Sequence, residues 1–119
     1  MDFIAEFGFD VKRGKSGELQ EWLSENEGKL AATCPEGIEY VGTYFVVWSS
    51  EKHAGGCRQL FRMESYGSQD SWAATMKGGG EFATLMEGMG QFVDQDREAN
   101  WSQGLYKAVT AASIWGDEA

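Results

Sequence analysis

Two β-rich runs joined by a short polar segment fix the middle of this 119-residue chain. Tyr40-Val-Gly-Thr-Tyr-Phe-Val-Val-Trp48 is dense in β-branched and aromatic residues, and Cys57-Arg-Gln-Leu-Phe-Arg-Met-Glu-Ser65 alternates apolar with polar. Between them, Ser49 to Gly56 is polar and ends in two glycines, which reads as a β-hairpin with a longer loop. What such a hairpin can belong to is limited by its flanks. Phe3, Ala5, Phe7, Phe9 and Val11 recur with a period of two, predicting a strand with one strongly apolar face. Arg13 to Gly17 is a turn. Ser16 is placed to N-cap a helix over 17–32, with Leu19, Trp22, Leu23 and Leu30 at helical spacing and Glu18 near the positive end of the dipole. Cys34-Pro-Glu-Gly37 stops it.

The far side of the hairpin repeats the scheme. Gly67-Ser68 opens a short helix carrying Trp72 and Met76, and Gly78-Gly-Gly80 breaks it. Phe82, Leu85, Met86, Met89, Phe92 and Val93 then predict a fuller amphipathic helix. Within it, Gly88 and Gly90 each cost about 1 kcal/mol relative to alanine, which close approach to a sheet would explain. A charged loop over 94–100 leads into a last strand within Trp101 to Trp115. The order is β-α-β-β-α-β, the split βαβ or ferredoxin-like α+β arrangement, as a single domain over 1–119. Right-handed crossovers put both helices on one face of a four-stranded antiparallel sheet, with strands 1 and 3 central.

That arrangement leaves the second sheet face uncovered. The odd positions of strand 1 and strand 3 are the more apolar and are assigned to the helices. Ile4, Glu6, Gly8 and Asp10, with Arg58, Leu60, Arg62 and Glu64, then face away. Strand 2 is apolar on both faces, as strands buried on both sides are. In so short a chain the expected cover is a second copy, giving a homodimer that buries on the order of 2,000 Å² or more.

Composition removes several function classes. A net charge of −9 repels a phosphate backbone, and Lys12, Arg13 and Lys15 form the only basic cluster, so no nucleic-acid partner is expected. No apolar run approaches the roughly 20 residues that cross a bilayer, and the N-terminal residues lack a signal-peptide pattern. Cys34 and Cys57 resemble neither a disulfide framework nor a metal motif and are expected as free thiols. These readings predict a cytoplasmic protein. Gly78-Gly-Gly80 lacks the Lys-Ser/Thr of a P-loop and no dinucleotide fingerprint is present, so no cofactor is expected. The acidic residues show no metal-ligand spacing.

The element order over nearly the whole chain resembles the dimeric α/β-barrel superfamily, which includes antibiotic-biosynthesis-type monooxygenases and stress-responsive α/β-barrel proteins. The hairpin Tyr40–Tyr66, the helix Phe82–Val93 and a closing strand ending near Ile114-Trp115 carry that resemblance. It implies two sheets packed face to face and a small-molecule pocket between sheet and helices or within the barrel. Members include oxygenases, cyclases and haem-degrading enzymes. The only histidine, His53, falls in the hairpin loop, so no family histidine is carried over.

Six residues stand out as candidate ligand contacts: Glu6, Tyr44, Trp48, Arg58, Arg62 and Met86. With strands 1 and 3 taken as adjacent and parallel, Glu6 and Arg62 sit at similar depth on the barrel side. They form either a structural ion pair that fixes dimer register or a polar anchor for a ligand carboxylate, carbonyl or phenolate. Arg58 is a second candidate for that anchor. Tyr44 and Trp48 share one face of strand 2, as packing or as pocket wall. Met86 belongs to a Met-rich helix face that reads as core or as lining for a flexible apolar ligand. The expectation is a homodimer binding a small hydrophobic or aromatic molecule. The alternative is a cofactor-independent monooxygenase or cyclase-type enzyme acting on a small aromatic or polyketide-like compound.

Overall fold

The computed structural model of the protein describes residues 3–51 and 54–110. Their elements are β1 (Phe3–Phe9), α1 (Ser16–Thr33), β2 (Ile38–Phe45), β3 (Cys57–Met63), α2 (Ser68–Gly78), α3 (Glu81–Gly90) and β4 (Trp101–Lys107). The strands form one antiparallel sheet in the order β2-β3-β1-β4, the ferredoxin-like α+β arrangement. Ile114 and Trp115, expected at the end of the last strand, lie outside the described residues, as does His53.

β1 and β3 pair antiparallel, which corrects the parallel pairing read from the sequence. A right-handed crossover makes β1 and β2 run the same way, and the hairpin reverses β3. The register then sets Ile4 opposite Arg62, Glu6 opposite Leu60 and Gly8 opposite Arg58.

Parity in the strands decides the core. Phe3, Ala5 and Phe9 of β1 and Cys57, Phe61 and Met63 of β3 are buried beneath Leu19 and Leu30 of α1 and Phe82 and Met89 of α3. Phe61, at 0% exposure, is its centre. Its ring packs edge-on to Trp72 at 4.9 Å between centroids and to Tyr40 at 5.5 Å, while Trp72 stacks on Phe7 at 5.5 Å. Truncating so enclosed an aromatic removes about 3–5 kcal/mol. Gln59, also buried, donates from Nε2 to Thr43 Oγ1 at 3.2 Å and lies 3.2 Å from Met89 Sδ.

Three local departures from the sequence reading have simple causes. Ser16 is the first residue of α1 and Lys15 its cap, without a side-chain capping bond; the Leu19 amide donates to the Lys15 carbonyl at 2.9 Å. β2 ends at Phe45 because β3 begins at Cys57, and beyond the Val46 N–H to Gly56 carbonyl bond of 2.8 Å the loop opens. Gly88 faces Trp22 of α1 and not the sheet, and an added Cβ would meet that ring at an ordinary 3.5 Å. Gly79, with φ +72°, closes α2 in the left-handed conformation that glycine adopts without a Cβ penalty, so α2 and α3 are separate helices.

A β-bulge between Tyr40 and Gly42 resets the alternation of β2. Thr43 and Phe45 consequently share the helix side with Gln59 and Cys57, and Gly42 and Tyr44 share the open side with Leu60 and Arg58. On that open face both edge strands carry the same tripeptide pattern, Gly42-Thr43-Tyr44 and Gly104-Leu105-Tyr106. Each tyrosine folds back over its own strand. A Cβ at Gly42 would lie 2.7 Å from Tyr44 Oη, and one at Gly104 would collide with Tyr106 Oη.

Candidate binding site on the open sheet face

Arg58 leaves β3 on the face away from the helices, with Gly8 of β1 and Tyr44 of β2 opposite it. Gly8 has no side chain there because the hairpin loop crosses at that point: a Cβ would collide with the Ala54 carbonyl and with Ser102 Oγ. The loop is held by Asp10, just past the end of β1. Asp10 Oδ1 accepts from the Gly56 N–H at 3.0 Å, and its Oδ2 accepts from the Asn100 N–H at 2.9 Å. One carboxylate therefore ties both the hairpin and the 94–100 loop to the same strand end.

Folding the loop back in this way brings Glu51 onto Arg58. Arg58 Nη1 lies 3.2 Å from Glu51 Oε1 and 3.6 Å from Glu6 Oε1. Tyr106 of β4 donates its hydroxyl to Glu6 Oε1 at 3.2 Å. The Arg58 side chain is only 12% exposed, against 59% for Glu51. Its Nε is buried and makes no hydrogen bond. A guanidinium so far withdrawn from water needs partners on its whole edge, and here both carboxylates crowd one nitrogen. Desolvation first, and then the neighbouring Glu6 carboxylate, raises the Tyr106 phenol and keeps it a hydrogen-bond donor. Around this cluster the face is apolar, with Ile4, Leu60 and Val46 partly covered and Tyr44 and Tyr106 about half exposed.

The six candidates divide evenly. Glu6, Arg58 and Tyr44 come together on this face. Arg62 does not meet Glu6, as the sequence reading had it; the antiparallel register moves it toward the far end of the sheet. There its Nη1 lies 3.5 Å from Glu39 Oε1 and its side chain is 45% exposed. An open groove of about 410 Å³ runs past Arg62, Glu39, Glu64 and Gly37. Trp48 lies in the loop beyond β2 and is 83% exposed. Met86 is on α3, on the opposite side of the sheet, packed against both parts of the core.

Two participants were missed. Tyr106 was legible as an even-side residue of the last strand, but its reach to Glu6 depends on the β1–β4 register. Glu51 carries no signal in the sequence, because only the return of the loop brings it to Arg58. Among the described residues no group of three or more His, Cys, Asp or Glu side chains is arranged to hold a metal ion.

No protein-family model and no curated protein sequence matches the chain. Solved structures do match in fold. A NIPSNAP family protein from Agrobacterium tumefaciens superposes with a TM-score of 0.63 at 7% identity, over 90% of this chain and 92% of that one. An uncharacterized NIPSNAP-like domain protein from Burkholderia xenovorans gives 0.64 at 9% identity, over 94% and 89%. The haem degrader MhuD from Mycobacterium tuberculosis, solved with two haems bound in its active site, gives 0.51 at 14% identity, over 90% and 95%. Similarity at this level of identity shows the shared ferredoxin-like fold, in line with the resemblance drawn from the element order.

Proposed function

We propose that the protein is a homodimer that holds a small hydrophobic or aromatic molecule against the open sheet face, with Arg58 as its polar anchor. The observation that carries this is the buried Nε of Arg58, which makes no hydrogen bond although apolar Ile4 and Leu60 lie beside it. A hydrogen-bond donor left in that position loses free energy until an acceptor reaches it. The apolar residues around it, Ile4, Leu60 and Tyr44, suit the body of such a molecule, and a second copy suits the remaining face. Arg62 and Trp48 belong in this reading to the rim, and Met86 to the packing beneath. Two free cysteines, Cys34 and Cys57, fit a reducing compartment, so the proposed location is the cytoplasm. No helix among the described residues is long and apolar enough to cross a membrane.

Native mass spectrometry of the purified protein tests the reading. Wild type is expected to carry a co-purifying small molecule, and the double variant Glu6→Leu/Arg58→Met, which leaves only the exposed Glu51 carboxylate without its partner, to have lost it. The same adduct on both proteins, or none on wild type, overturns the assignment. A second reading, a cofactor-independent monooxygenase or cyclase, is favoured by the Glu6 carboxylate, which faces the same surface and could accept an acidic ligand proton. Conversion of the co-purified molecule by wild type but not by Glu6→Gln would select it.

A further inference from the structure

Resting on that reading of the site, we infer that the ligand carries a single carboxylate head on an apolar body, and that this head displaces Glu51 from Arg58. Three features of the cluster converge on it. Glu51 and Glu6 both approach Nη1, at 3.2 and 3.6 Å, so the planar fork is engaged at one nitrogen while Nε stays buried and without a hydrogen bond. A guanidinium edge matches a carboxylate through two parallel N–H bonds, and neither protein carboxylate supplies that pairing. Glu51 is also the movable partner. It sits in the hairpin loop with an exposed side chain, whereas Glu6 is fixed in the central strand β1 and accepts from Tyr106.

Charge decides between head groups. The cluster holds Glu6, Glu51 and Arg58, one positive charge against two negative. A ligand carboxylate that replaces Glu51 leaves that count unchanged, while Glu51 swings into water at little cost for so exposed a group. A dianionic head would add charge beside Glu6. A cation would face Arg58 itself. A neutral alcohol would satisfy Nε but would have no reason to expel Glu51. The body of the ligand follows Leu60 and Ile4, the apolar residues nearest the cluster on β3 and β1. Glu51 is thus a built-in competitor, in charge, for the guanidinium of Arg58.

Isothermal titration of the full-length protein with decanoate and with 1-decanol, both below their aggregation limits, tests this. Wild type is expected to bind decanoate at least tenfold more tightly than decanol. Glu51→Gln, a substitution at an exposed loop position, should tighten decanoate several-fold and leave decanol unchanged. Arg58→Gln should erase the preference. Equal affinities for decanoate and decanol would overturn the carboxylate head while leaving the hydrophobic site standing. Absence of decanoate binding, or an unchanged decanoate affinity in Glu51→Gln, would overturn the inference as well. The first of these is expected if an acidic group of the second copy meets Arg58. Failure of the binding reading itself would show separately, in the mass spectra of wild type and the double variant.

Discussion

Cys57 is the residue at which packing and ionisation meet most plainly. It lies between Phe9 and Phe45 in the sheet and is 1% exposed beneath α1 and α3. Burial pushes its thiol up to about 11 from an ordinary value of 9.0, against the opposing hydrogen bond of the Arg58 backbone. The sign of the consequence follows from proton counting. Below pH 9 the thiol is protonated in both folded and unfolded chains, and its contribution is constant. Between about pH 9 and pH 11 the unfolded chain gives up the proton while the folded one keeps it, so stability falls as pH rises, by about 1.4 kcal/mol per unit. Urea unfolding of wild type and Cys57→Ala at pH 8, 9, 10 and 11 isolates this effect, because other groups cancel in the difference. The variant is expected to start less stable but to lose less across the upper range; parallel pH profiles would refute the assignment. At this scale the sequence was readable where a residue follows its strand's parity. Phe3, Phe9, Phe61 and Met63 are buried as their alternation implied, and Glu6 and Arg58 face away. What parity does not contain is register, which is why Glu6 was paired with Arg62 and not with Arg58.

Among the elements, the hairpin loop has the largest influence on the site for the fewest contacts. It crosses β1 where Gly8 leaves room, and Asp10 holds its end together with the start of β4. Removing that carboxylate by Asp10→Ala strands two backbone N–H groups, and hydrogen bonds to charged acceptors contribute about 1.5–3 kcal/mol each at most. The expected outcome is a loss of about 1–3 kcal/mol in global stability. Amide exchange should accelerate at Gly56 and Asn100 while the β1–β3 ladder keeps its protection. Uniformly faster exchange across the sheet, or none at all, would show that Asp10 does not act as a latch. Asp10→Asn should retain part of the protection, since its amide oxygen still accepts one bond. The order of elements and the break at Gly78–Gly80 were legible because period, caps and glycines are local signals. The loop's return over the sheet was not, since it depends on a glycine 46 residues before Ala54 that is needed for its absence of bulk. The bulge at Val41 left one local signal, the isolated Gly42 in an otherwise β-rich run, which alone does not say to which side the alternation is reset.

The molecule as described has a well-filled core on one side of its sheet and a half-covered apolar face on the other. On the open face Tyr44 and Tyr106 are exposed along the edge strands, Phe45 and Trp101 are exposed on the helix side of the same strands, and Val47 and Trp48 project from the loop. A sedimentation series from 0.1 to 10 µM (concentrations on the order of those at which obligate pairs persist) should show a single dimeric species. A monomer throughout would remove the proposed assembly. The folded-back tyrosines then acquire a consequence of their own. Rings folded over Gly42 and Gly104 fill the hollows those glycines would leave in the two margins of the sheet and lower its relief for a body resting there. Shape alone would let it slide along the strands. What stops the sliding is the charged cluster of Glu6, Arg58 and Glu51, with the Tyr106 hydroxyl beside it, which works like a locating pin: whatever settles near it is aligned by electrostatics more than by relief.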